Sequence, residues 1–72
     1  MKKALFIIAQ QEFRDEELKI PKQILEASGT KVMVASITTD QARGMLGAKV
    51  KPDLAIRNVN PNDFDVLVLL VV

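Results

Sequence analysis

The sequence predicts an α/β domain built on a parallel sheet, and three observations carry that expectation. Residues 4–9 and 66–72 are continuous apolar runs without alternation, the pattern of strands buried on both faces. An amphipathic stretch opens at the acidic triplet Asp15-Glu16-Glu17 and closes at Ser28-Gly29, as a helix does. A β-branched run at residues 31–36 follows almost directly. Strand, helix and strand within about 35 residues make one right-handed βαβ unit.

The elements follow in order. Ala4, Leu5, Phe6, Ile7, Ile8 and Ala9 form the first, central strand. Residues 10–14 form a polar loop with Phe13 embedded in it. Asp15 is a good helix N-cap, and Glu16 and Glu17 place negative charge in the first turn, where the helix dipole favours it. Leu18, Ile24 and Leu25 give an apolar stripe, with Lys19, Lys22, Gln23 and Glu26 on the other side. Pro21 permits two readings: a helix that starts near it, or one running from Asp15 with a kink that frees the backbone of Glu17. The acidic first turn favours the second. Gly29 is a natural left-handed residue past the helix end. Residues 31–36 are the second strand. Residues 38–58 hold Gly44, Gly47 and Pro52 between short apolar pairs, which predicts a small irregular hairpin at the sheet edge. Asn60 caps a single helical turn with Pro61 at its first position. Residues 66–72 return as a third parallel strand. No repeat, low-complexity tract or linker divides the chain, so residues 1–72 read as part of a single domain.

Composition removes several function classes. Seventy-two residues make at most one small domain, with a thin stability margin. With no Cys and no His, disulfides, thiolate metal sites and the usual neutral-pH proton shuttle are absent. No metal and no cofactor are expected, because there is no calcium-type acidic loop and no glycine-rich phosphate loop after the first strand. Ten basic residues nearly balance nine acidic ones, which leaves no electrostatic footprint for nucleic acid. The apolar run after Lys2-Lys3 is six residues, short of the roughly 7–15 of a secretory core. The final run is far below the roughly 20 residues that span a bilayer. A soluble, cytoplasmic protein is expected.

The informative loop is residues 10–18, on the ligand side of an open parallel sheet. Five ionisable side chains fall between Glu12 and Glu17. One reading is a solvated loop with an acidic helix start. The sharper one turns a carboxylate inward beneath the sheet's carboxyl edge, with Glu17 the best candidate because Pro21 disturbs the backbone around it. Gly44 and Gly47 read as turn residues, and Phe6, Met33 and Met45 as core. Arg43, Lys49 and Lys51 read as exposed, with Arg43 able to fix an anion.

Taken together, residues 3–9, the segment Phe13-Arg14-Asp15-Glu16-Glu17-Leu18 with Pro21, residues 29–36, residues 44–53 and residues 63–69 resemble, in order and spacing, the start of the DJ-1/PfpI superfamily. The likeness is greatest to its PfpI-like "intracellular protease" group. The resemblance implies a flavodoxin-like parallel sheet in a three-layer sandwich. The chain would supply only the first β-α-β, a small hairpin and the third strand, so that it is the amino-terminal part of a longer domain. It also implies cysteine-dependent hydrolysis of peptidase, glyoxalase or deglycase type, in which a glutamate of the first βα loop hydrogen-bonds the thiol. Counting back from Pro21, Glu17 takes that position.

Two departures from the family pattern bear on activity. The nucleophile segment is missing from these residues, so the chain is expected to be inactive alone. Val71 and Val72 stand where the family closes its third strand with Gly-Gly. β-Branched valine resists the backbone turn that would offer N–H groups to an oxyanion. The alternative is a non-catalytic interaction or structural module that pairs through exposed sheet edges. The absent glycine loop argues against a third class, a receiver-like ligand module. The apolar, uncharged last strand predicts a homo-oligomer or a complementary chain covering the sheet edges.

Overall fold

The computed structural model describes residues 2–70. In chain order the elements are β1 (Lys3–Ile8), β2 (Gln11–Phe13), α1 (Asp15–Ala27), β3 (Lys31–Ser36), β4 (Ala42–Gly44), β5 (Lys49–Val50), β6 (Leu54–Ala55), two short 3-10 turns (Ile56–Asn58 and Pro61–Asp63) and β7 (Val66–Leu70). The main sheet has the order β6-β3-β1-β7, and every pairing in it is parallel. A smaller sheet, β2-β4-β5, sits beside it. There β2 and β4 are parallel and β4 and β5 form an antiparallel hairpin.

The expected α/β arrangement is therefore present, and β1 is its centre. Ala4, Leu5 and Phe6 are fully buried, as a strand with neighbours on both sides and cover on both faces must be. Ala4, Phe6 and Ile8 join Val34, Leu18, Phe13 and Ala42 in one core cluster. By strand alternation Leu5 points to the opposite face.

Helix α1 runs unbroken from Asp15 through Pro21 to Ala27, so of the two readings of Pro21 the longer helix is the observed one. Proline has no N–H to offer the carbonyl of Glu17. The cap differs from expectation. Arg14 is the N-cap residue and no side chain caps the helix. Asp15 lies one position inside and is engaged elsewhere. At the other end the N–H of Thr30 donates to the carbonyl of Leu25 (3.0 Å) and that of Gly29 to Glu26 (3.1 Å). With Gly29 at φ +89°, this is the paired-bond C-terminal motif that glycine permits.

The helical stripe is narrower than expected. Leu18 is buried and Leu25 packs on the core, whereas Ile24 is 64% exposed. At about 3.6 residues per turn, Leu25 falls roughly 20° from Leu18 around the axis and Ile24 roughly 120° away. Only the first pair shares a face.

Two further expectations change. The loop after β1 is not wholly irregular, because Gln11–Phe13 pairs with β4 and buries Phe13. The expected hairpin exists, but it extends this second sheet, while β6 takes the main-sheet edge beside β3. β7 is parallel to β1 as expected. It is not buried on both faces, however. Among the described residues it is an edge strand, with Leu67 51% and Leu69 64% exposed. An uninterrupted apolar run reports a strand that favours burial, not the neighbour that would bury it. Val71 and Val72 lie outside the described residues.

Both edge strands of the main sheet are started by the same device. Just before β6, the N–H of Asp53 donates to the carbonyl of Val34 (2.7 Å), and the Asp53 carboxylate accepts from the N–H of Val34 (2.8 Å). Just before β7, Asp65 does the same with Lys3, at 2.8 and 2.9 Å. Each aspartate satisfies both polar groups of one strand residue. Replacing Asp53 with Ala orphans the part-buried Val34 N–H, and urea denaturation should show a loss of about 1–3 kcal/mol. Asp53→Asn keeps an acceptor oxygen and should lose less. Equal losses for the two variants would show that the hydrogen bond is not the source of the effect.

Candidate functional site

In open parallel sheets ligands bind just past the carboxyl ends of the strands. Here Ile8, Ala55 and Leu70 end β1, β6 and β7. A cleft of about 420 Å³ opens at that edge, walled by Ile7, Ile8, Ala9, Ile56 and Leu70, with Gln11 and Glu12 as its polar lining. A second cleft of about 290 Å³ adjoins it, shared by Gln11, Glu12, Arg43 and Met45 among others. The edge is stapled from above by Gln10. Its side-chain amide donates to the carbonyl of Asp40 (2.7 Å) and accepts from the N–H of Thr38 (3.2 Å), which fixes the segment after β3 over the end of β1.

Glu12 connects the two clefts because of a backbone irregularity. Gln11 pairs with Arg43 and Phe13 with Gly44, so two steps along β2 match one along β4. The extra residue is Glu12, whose φ of +62° is the one positive value among the described non-glycine residues. A bulge of this kind bends the strand and re-aims its side chains. Here it sends Phe13 into the core and leaves Glu12 exposed at the cleft.

Glu17 lies in the first turn of α1 with its side chain exposed. Among the described residues it has no ion pair and no side-chain hydrogen bond, and it does not line the carboxyl-edge cleft. The carboxylate that turns inward is Asp15. Its Oδ2 accepts from the N–H of Ala48 (3.0 Å), and its Oδ1 is buried with no hydrogen-bond partner among the described residues. The spacing to Leu18 could have shown this, since residues three apart on a helix share a face. Glu17, two positions after Asp15, points away.

Asp15 also explains Gly44. A Cβ on Gly44 would collide with the Asp15 carboxylate, so this glycine is required by close approach and not by the turn. Gly47, at φ +95°, is the turn residue, as expected. The hairpin is held further by the N–H of Met45 donating to the carbonyl of Phe13 (2.9 Å). Met45 is exposed, contrary to its core assignment. Arg43, Lys49 and Lys51 are exposed as expected. The ion pair found among the described residues is Lys22 with Glu26, at 4.0 Å, and it does not touch the site. No helix of the described residues is long and apolar enough to cross a membrane.

A parallel sheet whose first strand leads through a carboxylate-rich loop into a helix, with a cleft over the carboxyl edge, defines a flavodoxin-like α/β domain. The chain belongs to the DJ-1/PfpI family, whose model matches residues 2–70. It is 43% identical over 68 residues to an uncharacterized protein of Methanocaldococcus jannaschii, covering 94% of this chain and 33% of that protein. It is 43% identical over 67 residues to a deglycase of Pyrococcus horikoshii, covering 93% and 40%. Among solved structures, a ThiJ/PfpI domain protein from Brachyspira murdochii superposes with a TM-score of 0.90 at 34% identity, covering 94% of this chain and 39% of that one. The chain thus spans a third to two fifths of the length of these proteins.

The contact between Asp15 and Gly44 should appear as energetic coupling. Gly44→Ala should destabilise the wild-type chain by about 1–3 kcal/mol through overpacking. In an Asp15→Ala background the same change should cost at least about 1 kcal/mol less, since contacting residues are non-additive. A double-mutant cycle by chemical denaturation measures this. Additive losses would rule out the contact.

Proposed function

We propose that this chain supplies the amino-terminal, acid-bearing part of a cysteine-dependent hydrolase of peptidase, glyoxalase or deglycase type. Membership of the DJ-1/PfpI family and similarity to proteins named deglycases, from Pyrococcus horikoshii and Pyrococcus furiosus, support the reading. The observation that carries it is the position of Glu17. It stands in the first turn of α1, four residues before Pro21, on the helix that follows β1 and β2. Its carboxylate is exposed and engaged with nothing among the described residues, so it is free to meet a group brought from outside them.

The division of labour follows from the side chains present. A hydrolase of this kind attacks with a thiolate, and an adjacent group must position and polarise the sulfur. These 72 residues hold no Cys and no His, so by themselves they provide the acid and the sheet but no nucleophile. In this reading Glu17 hydrogen-bonds a thiol contributed by another segment, and the isolated chain is inactive. The cytoplasm is the matching location, since free thiols persist in a reducing compartment.

A second reading, a non-catalytic module that pairs through its sheet edge, is favoured by one observation. β7 presents Leu67 and Leu69 to solvent, and exposed apolar edge strands are templates for another chain. A second copy or a complementary polypeptide would cover them.

The first reading is tested by mixing the chain with a polypeptide carrying the Cys-bearing remainder of a similar deglycase and assaying methylglyoxal consumption. Activity should appear only in the mixture. Glu17→Gln should lower it by about 100-fold or more, the scale of a positioned acid. An undiminished rate would remove Glu17 from the mechanism. The second reading is tested by sedimentation of the chain alone, which should run as a dimer or larger species that Leu67→Lys disperses. A sharp monomer at high concentration would count against edge pairing.

A further inference from the structure

We propose that the cleft between α1 and the β4-β5 hairpin binds a short aliphatic monocarboxylate. Lys19 and Lys22 hold the anionic head, and the apolar floor takes the chain. The site shares no lining residue with the clefts at the carboxyl edge of the sheet. It also stands apart from the role proposed for Glu17.

The cleft has a volume of about 190 Å³ and reaches the core itself. Its floor includes Phe13, Leu18 and Val34, all buried members of the core cluster. Ala48 and Val50 wall it from the hairpin side. Protein interiors leave few voids larger than a water molecule, and an apolar cavity of about 150 Å³ is enough to take benzene. A short alkyl chain therefore has room here. The hairpin is tied to the first turn of α1, where Asp15 accepts the N–H of Ala48 (3.0 Å) and abuts Gly44. Beyond that tie, the small side chain of Ala48 leaves the space beside Leu18 and Val50 unfilled.

The charges at the cleft are ordered along the helix, and their order selects the ligand. Asp15 lies at one end and Lys22 seven residues on, roughly 10 Å along the axis at about 1.5 Å per residue. Lys19 stands between them and has no ion pair among the described residues. Lys22 meets Glu26 at 4.0 Å, a solvent-exposed pair worth little. The Lys22 side chain is only 39% exposed, as when a lysine lays its methylenes on apolar surface and keeps its ammonium in water. A ligand of the same build and opposite charge matches it. A cationic head is disfavoured at both ends of the cleft. The lysines repel it at one end, and at the other Asp15 has Oδ2 bonded to Ala48 and Oδ1 buried. An uncharged chain gains the apolar floor but leaves both ammonium groups unanswered.

The test titrates the 72-residue chain with hexanoate, hexanol, hexylammonium and butanoate, following amide shifts by NMR. Hexanoate should shift Leu18, Val34, Ala48 and Val50, and should bind about fivefold more tightly than hexanol, the size an exposed ion pair supports. Hexylammonium should bind more weakly than either. Butanoate, two methylenes shorter, should bind about tenfold more weakly than hexanoate. At about 1 M salt, where the screening length is about 3 Å, the preference over hexanol should disappear. In Lys19→Gln/Lys22→Gln that preference should fall below about twofold. Lys31→Gln/Arg57→Gln removes the same charge from exposed positions outside the cleft and should keep it. Hexanoate should also raise the melting temperature of the wild-type chain, but not that of Ala48→Leu, whose larger side chain fills the cleft. Equal binding of hexanoate and hexanol by the wild-type chain overturns the proposal. So does a preference that survives in Lys19→Gln/Lys22→Gln, or a titration in which the four amides do not move. None of these outcomes bears on Glu17, whose role is read from methylglyoxal consumption.

Discussion

The structure depends on the double parallel pairing of β1. Its backbone bonds to β3 on one side and β7 on the other, and its side chains supply Ala4, Leu5, Phe6 and Ile8 to the interior. Parallel strands must be joined by crossovers. Here α1 makes the first, and residues 37–65, including β6, make the connection to β7. Each crossover must deliver its strand in register. The N–H of Lys31 donates to the carbonyl of Lys2 at the start of β3 (2.9 Å), and that of Asp65 donates to the carbonyl of Lys3 at the start of β7 (2.8 Å). Register is thus set at the amino ends of the strands. This leaves the carboxyl ends as the place where the chain departs from regularity.

The acidic residues differ in what they bond. Asp15, Asp53 and Asp65 each accept a backbone N–H from a distant segment. They hold the hairpin to the helix, β6 to β3 and β7 to β1, and so act as structural hydrogen-bond acceptors. Glu12 and Glu17 do none of this, and both follow the carboxyl end of the central strand. The shorter aspartate side chain, with two acceptor oxygens near the backbone, suits local clamping. The longer glutamates reach outward. The two glutamates also serve different surfaces: Glu12 faces the cleft, and Glu17 faces solvent from the first turn of α1, where a further segment could meet it.

Family membership and this division fit together. The chain spans a third to two fifths of its relatives, and its described residues leave two features exposed: apolar side chains on β7 and an acid on α1. The bulge at Glu12 is different, because it is complete within the chain. Among the described residues it is the place where positive-φ non-glycine backbone and a cleft-lining carboxylate coincide.

Much of the fold was legible in the residues alone. Residues 31–36 matched β3, Gly29 ended α1, and Asn60-Pro61 opened the turn before β7, where the Asn60 side chain accepts the N–H of Asn62 (3.1 Å). Those outcomes depend on local physics: apolar runs, left-handed glycine and proline's fixed φ act within a few residues. What only tertiary structure decided was contact between distant segments. Asp15 read as a cap, yet it faces Gly44 and Ala48 in a hairpin some thirty residues away. Phe13 read as part of a loop, yet β4 made a strand of that segment and so bulged Glu12 outward. Residues 66–72 read as doubly buried, yet the described part, Val66–Leu70, is an edge strand, because burial needs a neighbour and apolar composition cannot supply one. The sequence by itself determined the segments of β1, α1, β3 and β7 and the turns at Gly29 and Asn60-Pro61. The three-dimensional packing decided which carboxylate turns in and which is left exposed at the cleft, because side-chain direction follows from long-range pairing and no short window of residues contains it.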